Sequence, residues 1–207
     1  ALLNRSGPAW AVATAGIWFS FLTAIQLLQR VMAEGAITYA MGGWAAPIGI
    51  ELRIDLVSAF VVVIVSSIGA IGVLYARTSV AAEISEDRHA LFYAALLLNV
   101  CGLLGISVTG DMFNVFVFLE ISSLSAYSMI ALGQDRRALT SAFQYLIMGS
   151  VGATFIVIGI GLLWVMTGSL AMMDLAERIP MVWESGQGDR TIAVAFTFLT
   201  VGVTLKL

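Results

Sequence analysis

The sequence predicts an all-α integral membrane protein, and two observations predict it: the composition and the length of the apolar runs. The chain has 207 residues, of which 60% are hydrophobic and only 11% are charged, and its mean hydropathy is +0.98. A soluble domain of this length needs more polar surface than such a composition can supply. Several apolar runs are long enough to cross the hydrocarbon core of a bilayer, which takes roughly 20 helical residues.

The apolar runs predict about six transmembrane helices and leave almost no sequence for a soluble domain. The predicted spans are residues 9–29, 54–75, 90–108, 111–132, 138–166 and 190–207. The polar connectors between them are 30–53, 76–89, the turn Thr109–Gly110–Asp111, 133–137 and 167–189. We therefore expect a single membrane domain over residues 1–207. The chain begins with Ala1 and stops inside an apolar run, so we expect an internal piece of a larger membrane subunit.

The connectors predict the orientation of the spans and two short elements outside them. Short connectors rich in arginine stay in the cytoplasm, which places 76–89 and 133–137 inside and 30–53 and 167–189 outside. In the first outer connector, AITYAMGGWAAPIGIELRID alternates β-branched and aromatic residues around Gly-Gly and Pro, which predicts a small hairpin at the interface. In the second, the apolar spacing of SLAMMDLAERI predicts a helix that lies flat in the interface.

Charge, cysteine count and motifs exclude several classes of function. The formal charge of −3 and the absence of a basic, aromatic cluster exclude nucleic acid as a partner. The only cysteine, Cys101, lies in an apolar run, so neither disulfides nor a metal site are expected. No nucleotide-binding or metalloprotease motif is present, so we expect no cofactor. The only histidine, His89, stands beside Asp87 and Arg88 in a polar connector, and we expect a solvated loop residue.

The main candidate for chemistry is Glu120, which lies inside the predicted span 111–132. Asp111 starts this span, where a carboxylate suits the positive end of the helix dipole, and Glu120 lies roughly 13 Å deeper at 1.5 Å per residue. An ionised side chain at the bilayer centre costs about 2.5–3.5 kcal/mol. We predict that Glu120 takes up and releases a proton; the alternative is a protonated glutamate that ties two helices together. Helical spacing puts Ser123 and Tyr127 on its face.

Lys206 is the second ionisable candidate inside a predicted span, and it is the only lysine of the chain. The neighbouring Thr200, Gly202 and Thr204 are small or hydroxylated and leave room for water. Because burial favours the neutral form of an ionisable side chain, we predict that Lys206 and Glu120 form a pair that shares a proton. The alternative is a lysine that extends its charge to the membrane edge.

Other polar residues inside the spans are weaker candidates. The secondary positions of the predicted proton path are Ser123, Tyr127, Gln144 and Thr204. Gln144, like its neighbour Tyr145, could instead bridge two helices by hydrogen bonds, and bridging is the expected role of Asn99. Small residues are grouped in the fifth predicted span, where they should allow close helix packing: Gly149, Gly152, Ala153, Gly159 and Gly161.

The stretch TGDMFNVFVFLEISSLSAYSMIALG, followed by RRALTSAFQYLIMGSVGATFIVIGIGLLWVMTGSL and preceded by GGWAAPIGIELRID, resembles the D-type membrane subunit of the Mrp multisubunit cation/proton antiporters. That subunit is grouped with the antiporter-like membrane subunits of respiratory complex I and membrane-bound hydrogenases. By resemblance, Glu120 corresponds to the family's essential glutamate and Lys206 to the lysine of its broken helix. The resemblance implies about fourteen helices in inverted repeats, of which this chain matches the second through seventh, with a discontinuous helix near its C-terminal end.

The resemblance implies a membrane subunit of a Na⁺/H⁺ antiporter that moves protons through Glu120 and Lys206. It also implies a multi-pass location in the plasma membrane, with other membrane subunits, monovalent cations and lipid as partners. The chain is then part of a secondary transporter and catalyses no reaction itself. The alternative is a proton-pumping membrane subunit of an NADH:quinone oxidoreductase or a membrane-bound hydrogenase, although GGWAAPIGI and GDMFNVFVFLE favour the Mrp type. A membrane scaffold without conduction is a third interpretation.

Overall fold

The computed structural model describes residues 6–44, 49–186 and 188–206. Within these residues the chain forms seven α-helices and two short strands. The helices are α1 (Ser6–Glu34), α2 (Leu56–Glu83), α3 (His89–Val108), α4 (Met112–Ala131), α5 (Arg136–Thr167), α6 (Met172–Glu184) and α7 (Asp189–Lys206). The strands are β1 (Ile37–Ala40) and β2 (Glu51–Ile54).

Five helices in the described part of the chain are long and apolar enough to cross a membrane. They are α1 to α5, and they correspond to the first five predicted spans. Residues 190–206 of the sixth predicted span, 190–207, also form a helix, but α7 is not among the five. Its 18 residues contain Asp189, Arg190 and Lys206, and such charges oppose transfer into hydrocarbon.

The helices extend beyond the apolar runs that predicted them. The first continues to Glu34, whose carboxylate lies 3.0 Å from the exposed guanidinium of Arg30 at i,i+4 spacing. This helix is followed by Gly35, whose φ of +88° allows the chain to turn. The second continues to Glu83, so most of the predicted connector 76–89 is helical. Backbone hydrogen bonds do not require apolar side chains, and hydropathy therefore marks the membrane-crossing part of a helix rather than its ends.

The chain divides into two compact units. Unit 1 contains the segment up to Ile37, Ile54–Val108 and Phe118–Leu146. Unit 2 contains Thr38–Arg53, Thr109–Val117 and the segment from Ile147 onward. Both α4 and α5 therefore contribute residues to both units. The single membrane domain over residues 1–207 stays a prediction.

Small and β-branched residues make up most of the inside of unit 1, whereas many large apolar side chains lie on its outside. The exposed fraction of both Phe19 and Tyr75 is 72%. The buried residues of α1 recur every four or seven positions and so share one face: Ala9, Ala13, Ile17, Ala24 and Val31. This is the arrangement expected of membrane helices, because small residues let their backbones approach closely while apolar side chains meet lipid.

His89 is buried, so the prediction of a solvated loop residue is wrong. The exposed fraction of its side chain is 5%, and it is the first residue of α3. Its Nε2 lies 2.9 Å from the carbonyl oxygen of Ile84, the residue that caps the C-terminus of α2. A carbonyl oxygen only accepts hydrogen bonds, so Nε2 carries a proton. The prediction failed because it took all of 76–89 to be a polar connector, whereas α2 continues to Glu83.

Unit 2 is organised around the turn between α3 and α4. The strands β1 and β2 pair into a two-stranded sheet, which confirms strand pairing in the predicted hairpin; residues 45–48 of its loop lie outside the described residues. The second strand also holds the turn, because Gly110 N–H donates to the carbonyl oxygen of Glu51 at 2.9 Å. A Cβ atom on Gly110 would lie 3.1 Å from that oxygen, so glycine permits the close approach.

The connector between α5 and α6 holds the same turn through two further hydrogen bonds. Met112 N–H donates to the carbonyl oxygen of Leu170 at 2.9 Å, and Met172 N–H donates to that of Gly110 at 2.8 Å. The start of α4 is therefore fixed by backbone contacts with two separate segments.

The predicted interfacial helix is present as α6. Its Leu175 is buried and packs with Leu163 of α5 and Ala195 of α7. Its Met173 is 47% exposed, so the helix has a packed face and an open one. Its position flat in the membrane interface stays a prediction.

Candidate functional site

The helix that carries Glu120 begins with a side-chain cap. Asp111 Oδ1 accepts a hydrogen bond from Asn114 N–H at 2.9 Å, and Asp111 N–H donates to Thr109 Oγ1 at 3.3 Å. The first bond satisfies a backbone donor that a helix leaves unpaired at its N-terminus. The predicted place of Asp111 at the start of the span is confirmed.

Glu120 is partly buried and belongs to a polar cluster on α4. Tyr127 is 8% exposed, shares a side-chain hydrogen bond with Ser123, and lies close enough to Glu120 for electrostatic interaction. The i, i+3 and i+7 spacing therefore puts the three side chains on one face, as predicted. Leu124, the next residue along the helix from Ser123, is 48% exposed. The cluster thus lies at the border between the packed interior of unit 1 and its surface.

Tyr145 of α5 extends this cluster. Its ring meets that of Tyr127 edge to face, with ring centroids 5.3 Å apart and planes inclined by 72°, a favourable arrangement for aromatic side chains. The neighbouring Gln144 is exposed and has no contact of this kind. Sequence alone does not separate these two neighbours, because a step of one residue turns a side chain by about 100° around the helix.

One face of α3 packs against α4 at Phe118 and Ser122, which lie two residues before and two residues after Glu120. Asn99 Nδ2 donates to the carbonyl oxygen of Ser122 at 2.9 Å and to its Oγ at 3.2 Å, which confirms the predicted bridging role of Asn99. A Cβ atom on Gly102 would lie 2.7 Å from Ser122 N and 2.8 Å from Phe118 O. No side chain fits there, so glycine sets the distance between the two helices.

Lys206 lies in the last described turn of α7, in unit 2, and is partly buried. The helix runs without interruption from Asp189 to Lys206, so the implied discontinuity does not fall within these residues. Thr204 is exposed, and its hydroxyl donates to the carbonyl oxygen of Thr200 at 2.8 Å. This bond within the helix uses the hydrogen of the Thr204 hydroxyl, whose oxygen can still accept a hydrogen bond.

Two glycines of α5 allow close contact with α7. A Cβ atom on Gly152 would lie 2.9 Å from Gly202 O and 3.0 Å from Lys206 Cγ, and one on Gly159 would lie 2.9 Å from Ala195 O. The predicted close packing is confirmed at these two positions. It is not found at Gly161, where an added Cβ atom would have no neighbour within 4 Å among the described residues, because this glycine lies on another side of the helix. The other two members of the series are buried: Gly149 and Ala153.

Comparison with known proteins places these features in one family. Residues 109–207 match the family model described as "NADH:quinone oxidoreductase/Mrp antiporter, TM". The chain is 39% identical over 184 residues to the N-type subunit of the NADH-quinone oxidoreductase of Desulforudis audaxviator, an alignment that covers 89% of this chain and 36% of that protein. It is 33% identical over 175 residues to the D-type subunit of the Na(+)/H(+) antiporter of Bacillus subtilis, which covers 84% of this chain and 34% of that protein.

A solved structure shows the same fold. The chain superimposes on a chain of the membrane-bound sulfane sulfur reductase, an archaeal respiratory membrane complex, with a TM-score of 0.83 and 27% identity. This match covers 93% of the present chain and 38% of the other. The chain spans 34% to 36% of the length of the two curated relatives above. The apolar helices and the intramembrane Glu120 of α4 agree with these matches. The chain belongs to the family of antiporter-like membrane subunits that NADH:quinone oxidoreductases and Mrp antiporters share.

Proposed function

We propose that this chain is part of the proton-conducting membrane subunit of a multisubunit monovalent cation (Na⁺)/proton antiporter. The proposal rests on the surroundings of Glu120: a carboxyl group inside an apolar helix, partly buried and next to hydroxyl groups. Ionisable residues within membrane spans commonly mark ion or proton paths. In this role Glu120 takes up a proton from one side of the membrane and releases it to the other.

The hydroxyl groups of Ser123 and Tyr127 suit both protonation states of Glu120. A hydroxyl donates one hydrogen bond and accepts others, so it can donate to the ionised carboxylate and accept from the protonated acid. The hydrogen bond between Ser123 and Tyr127 forms a short polar path along α4. The ring of Tyr145 packs against Tyr127 from α5. These contacts support a proton path and are not needed for a simple helix bridge.

Lys206 is proposed as the second proton-carrying group. A lysine can give up its proton when buried, whereas arginine cannot, so its residue type fits this role. Gln144 and Thr204 are retained as secondary path positions, since both expose polar groups on the surfaces of their helices. We propose other membrane subunits, protons, monovalent cations and lipid as partners, in a multi-pass plasma-membrane protein.

A proton-pumping membrane subunit of a redox-driven complex is the second candidate function. It is favoured by the identity of 39% to an NADH-quinone oxidoreductase subunit, which is higher than the 33% to the Na(+)/H(+) antiporter relative. The same Glu120 and Lys206 would then move protons without Na⁺. In both candidates this chain supplies only the proton-conducting part.

The first test replaces Glu120 in the full-length subunit within its complex. Glu120→Gln keeps shape and hydrogen bonding but cannot titrate, so the complex should assemble and fail to exchange Na⁺ for H⁺. Glu120→Asp should retain partial activity with an altered pH profile, because the acid remains with a shorter reach. Na⁺-dependent collapse of a pH gradient in inverted vesicles, normalised to subunit content, measures both variants.

A matched control lies on the same helix. Ser128 is exposed, and its Oγ donates only to the carbonyl oxygen of Leu124 in its own helix, at 2.8 Å, so Ser128→Ala should transport normally. Near-normal exchange by Glu120→Gln would show that Glu120 only bridges helices. Proteoliposomes of the purified complex distinguish the two candidate functions. Proton uptake driven by NADH and a quinone without Na⁺ would favour the redox-driven pump over the antiporter.

A further inference from the structure

We propose that Gly152 of α5 is a positioning residue for Lys206, because it lets the aliphatic stem of the lysine lie against that helix without displacing α7. The inference rests on the proposed role of Lys206 as a proton carrier. A Cβ atom on Gly152 would lie 3.0 Å from Lys206 Cγ and 2.9 Å from Gly202 O. The stem of the lysine therefore crosses α5 at a residue that has no side chain.

The two glycines that face each other fix this geometry. A Cβ atom on Gly202 would lie 2.7 Å from Gly152 O and 2.9 Å from Ile156 N, so neither helix can carry a side chain at the crossing. Gly202 and Lys206 are four residues apart and share one face of α7. Helical side chains point back towards the N-terminus, which brings the Lys206 stem over the crossing. Its ammonium group is then placed by the torsions beyond Cγ.

A methyl group at Gly152 would act on Lys206 in one of two ways. It would meet the backbone carbonyl of Gly202, which lies one turn before Lys206 and has no rotamer to change, so the last described turn of α7 would have to move away by a few tenths of an ångström. Otherwise the stem of Lys206 would adopt another rotamer and carry the ammonium group elsewhere. Both responses displace the group that exchanges the proton, and misplacement of a reacting group by about 1 Å can cost 10²-fold in rate.

Two other glycines of α5 provide matched controls. A Cβ atom on Gly159 would lie 2.8 Å from Leu199 Cγ and 2.9 Å from Ala195 O, so Gly159→Ala strains the same pair of helices to a similar degree without contact to Lys206. A Cβ atom on Gly161 would have no neighbour within 4 Å in the described part of the chain, so Gly161→Ala tests the substitution alone.

The experiment measures transport and lysine reactivity in vesicles that contain the whole complex. Gly152→Ala should lower exchange on the order of tenfold and shift its pH profile, while Gly159→Ala and Gly161→Ala should keep the wild-type profile. Reductive methylation of Lys206, followed by mass spectrometry, should change in rate only for Gly152→Ala. A wild-type pH profile and methylation rate in Gly152→Ala, or the same shifts in Gly159→Ala, would overturn the proposal.

Two further outcomes are decided by variants of Lys206 itself. If Gly152→Ala assembles poorly, the double variant Gly152→Ala/Lys206→Ala should assemble to a greater extent, because it removes the contact with the lysine stem while the contact with Gly202 O remains. Equal assembly of the single and double variants would overturn the positioning role. If Lys206→Ala transports normally, the proposed function of Lys206 fails. The methylation rates still decide whether Gly152 positions the lysine.

Discussion

Replacing Gly102 with alanine should displace the part of α4 that carries Glu120. The new Cβ atom would lie 2.7 Å from Ser122 N and 2.8 Å from Phe118 O. Ordinary contacts of a Cβ atom start at 3.4 Å, so the two helices would have to separate by roughly 0.7 Å, against the attraction that holds packed atoms together. Both atoms belong to the backbone, so no change of rotamer can relieve the clash.

The magnitude follows from two opposing contributions to the free energy of unfolding. Overpacking typically costs about 1–3 kcal/mol, and this site belongs at the upper end because the obstacle is backbone. Alanine is favoured over glycine in a helix by about 0.8–1.0 kcal/mol. We therefore expect Gly102→Ala to destabilise the subunit by about 2 kcal/mol. Gly72→Ala on α2, where none of the described residues lies within 4 Å of the added Cβ, should stabilise it by about 1 kcal/mol.

Unfolding of the full-length subunit in mixed micelles, titrated with a denaturing detergent, measures both free energies. The two variants should differ by roughly 3 kcal/mol, and Gly102→Ala should also lower transport, since Phe118 and Ser122 flank Glu120. Equal stability of Gly102→Ala and Gly72→Ala would refute the close contact between α3 and α4.

The remaining predictions concern Lys206 and the orientation. Lys206→Ala should abolish exchange in membrane vesicles while the subunit stays in the membrane, and Lys206→Arg should restore it poorly because a guanidinium cannot give up its proton; full activity of both variants would make Lys206 a mere anchor. A cysteine in place of Arg136, within 133–137, should react with an impermeant reagent only after the inner side is opened. Its labelling in intact cells would reverse the assigned orientation.

The sequence was sufficient for features that depend on one segment and its solvent. The length of an apolar run can be compared directly with the thickness of a bilayer, so the first five predicted spans coincide with helices that are long and apolar enough to cross a membrane. The alignment of Glu120, Ser123 and Tyr127 on one face follows from the helical period alone. The position of Asp111 at the start of the span is likewise local, because the helix that it precedes begins with the next residue.

Helix ends and buried loop residues could not be predicted in this way. Hydropathy reports where a helix meets lipid, and α2 continues past its apolar run to Glu83. The same limit explains the error at His89, whose partner is the carbonyl group that ends α2. Neither feature has a signature in composition.

Only the tertiary structure decided which helices meet and at which residues. Membrane helices are apolar all round, so their periodicity does not reveal which face packs against a neighbour. The crossing of α5 and α7 at Gly152, the contact of Gly102 with α4 and the pairing of Tyr145 with Tyr127 all join residues from different helices. The sequence by itself determined the residue types that chemistry in a membrane requires, and the packing of the helices determined which of them lie together.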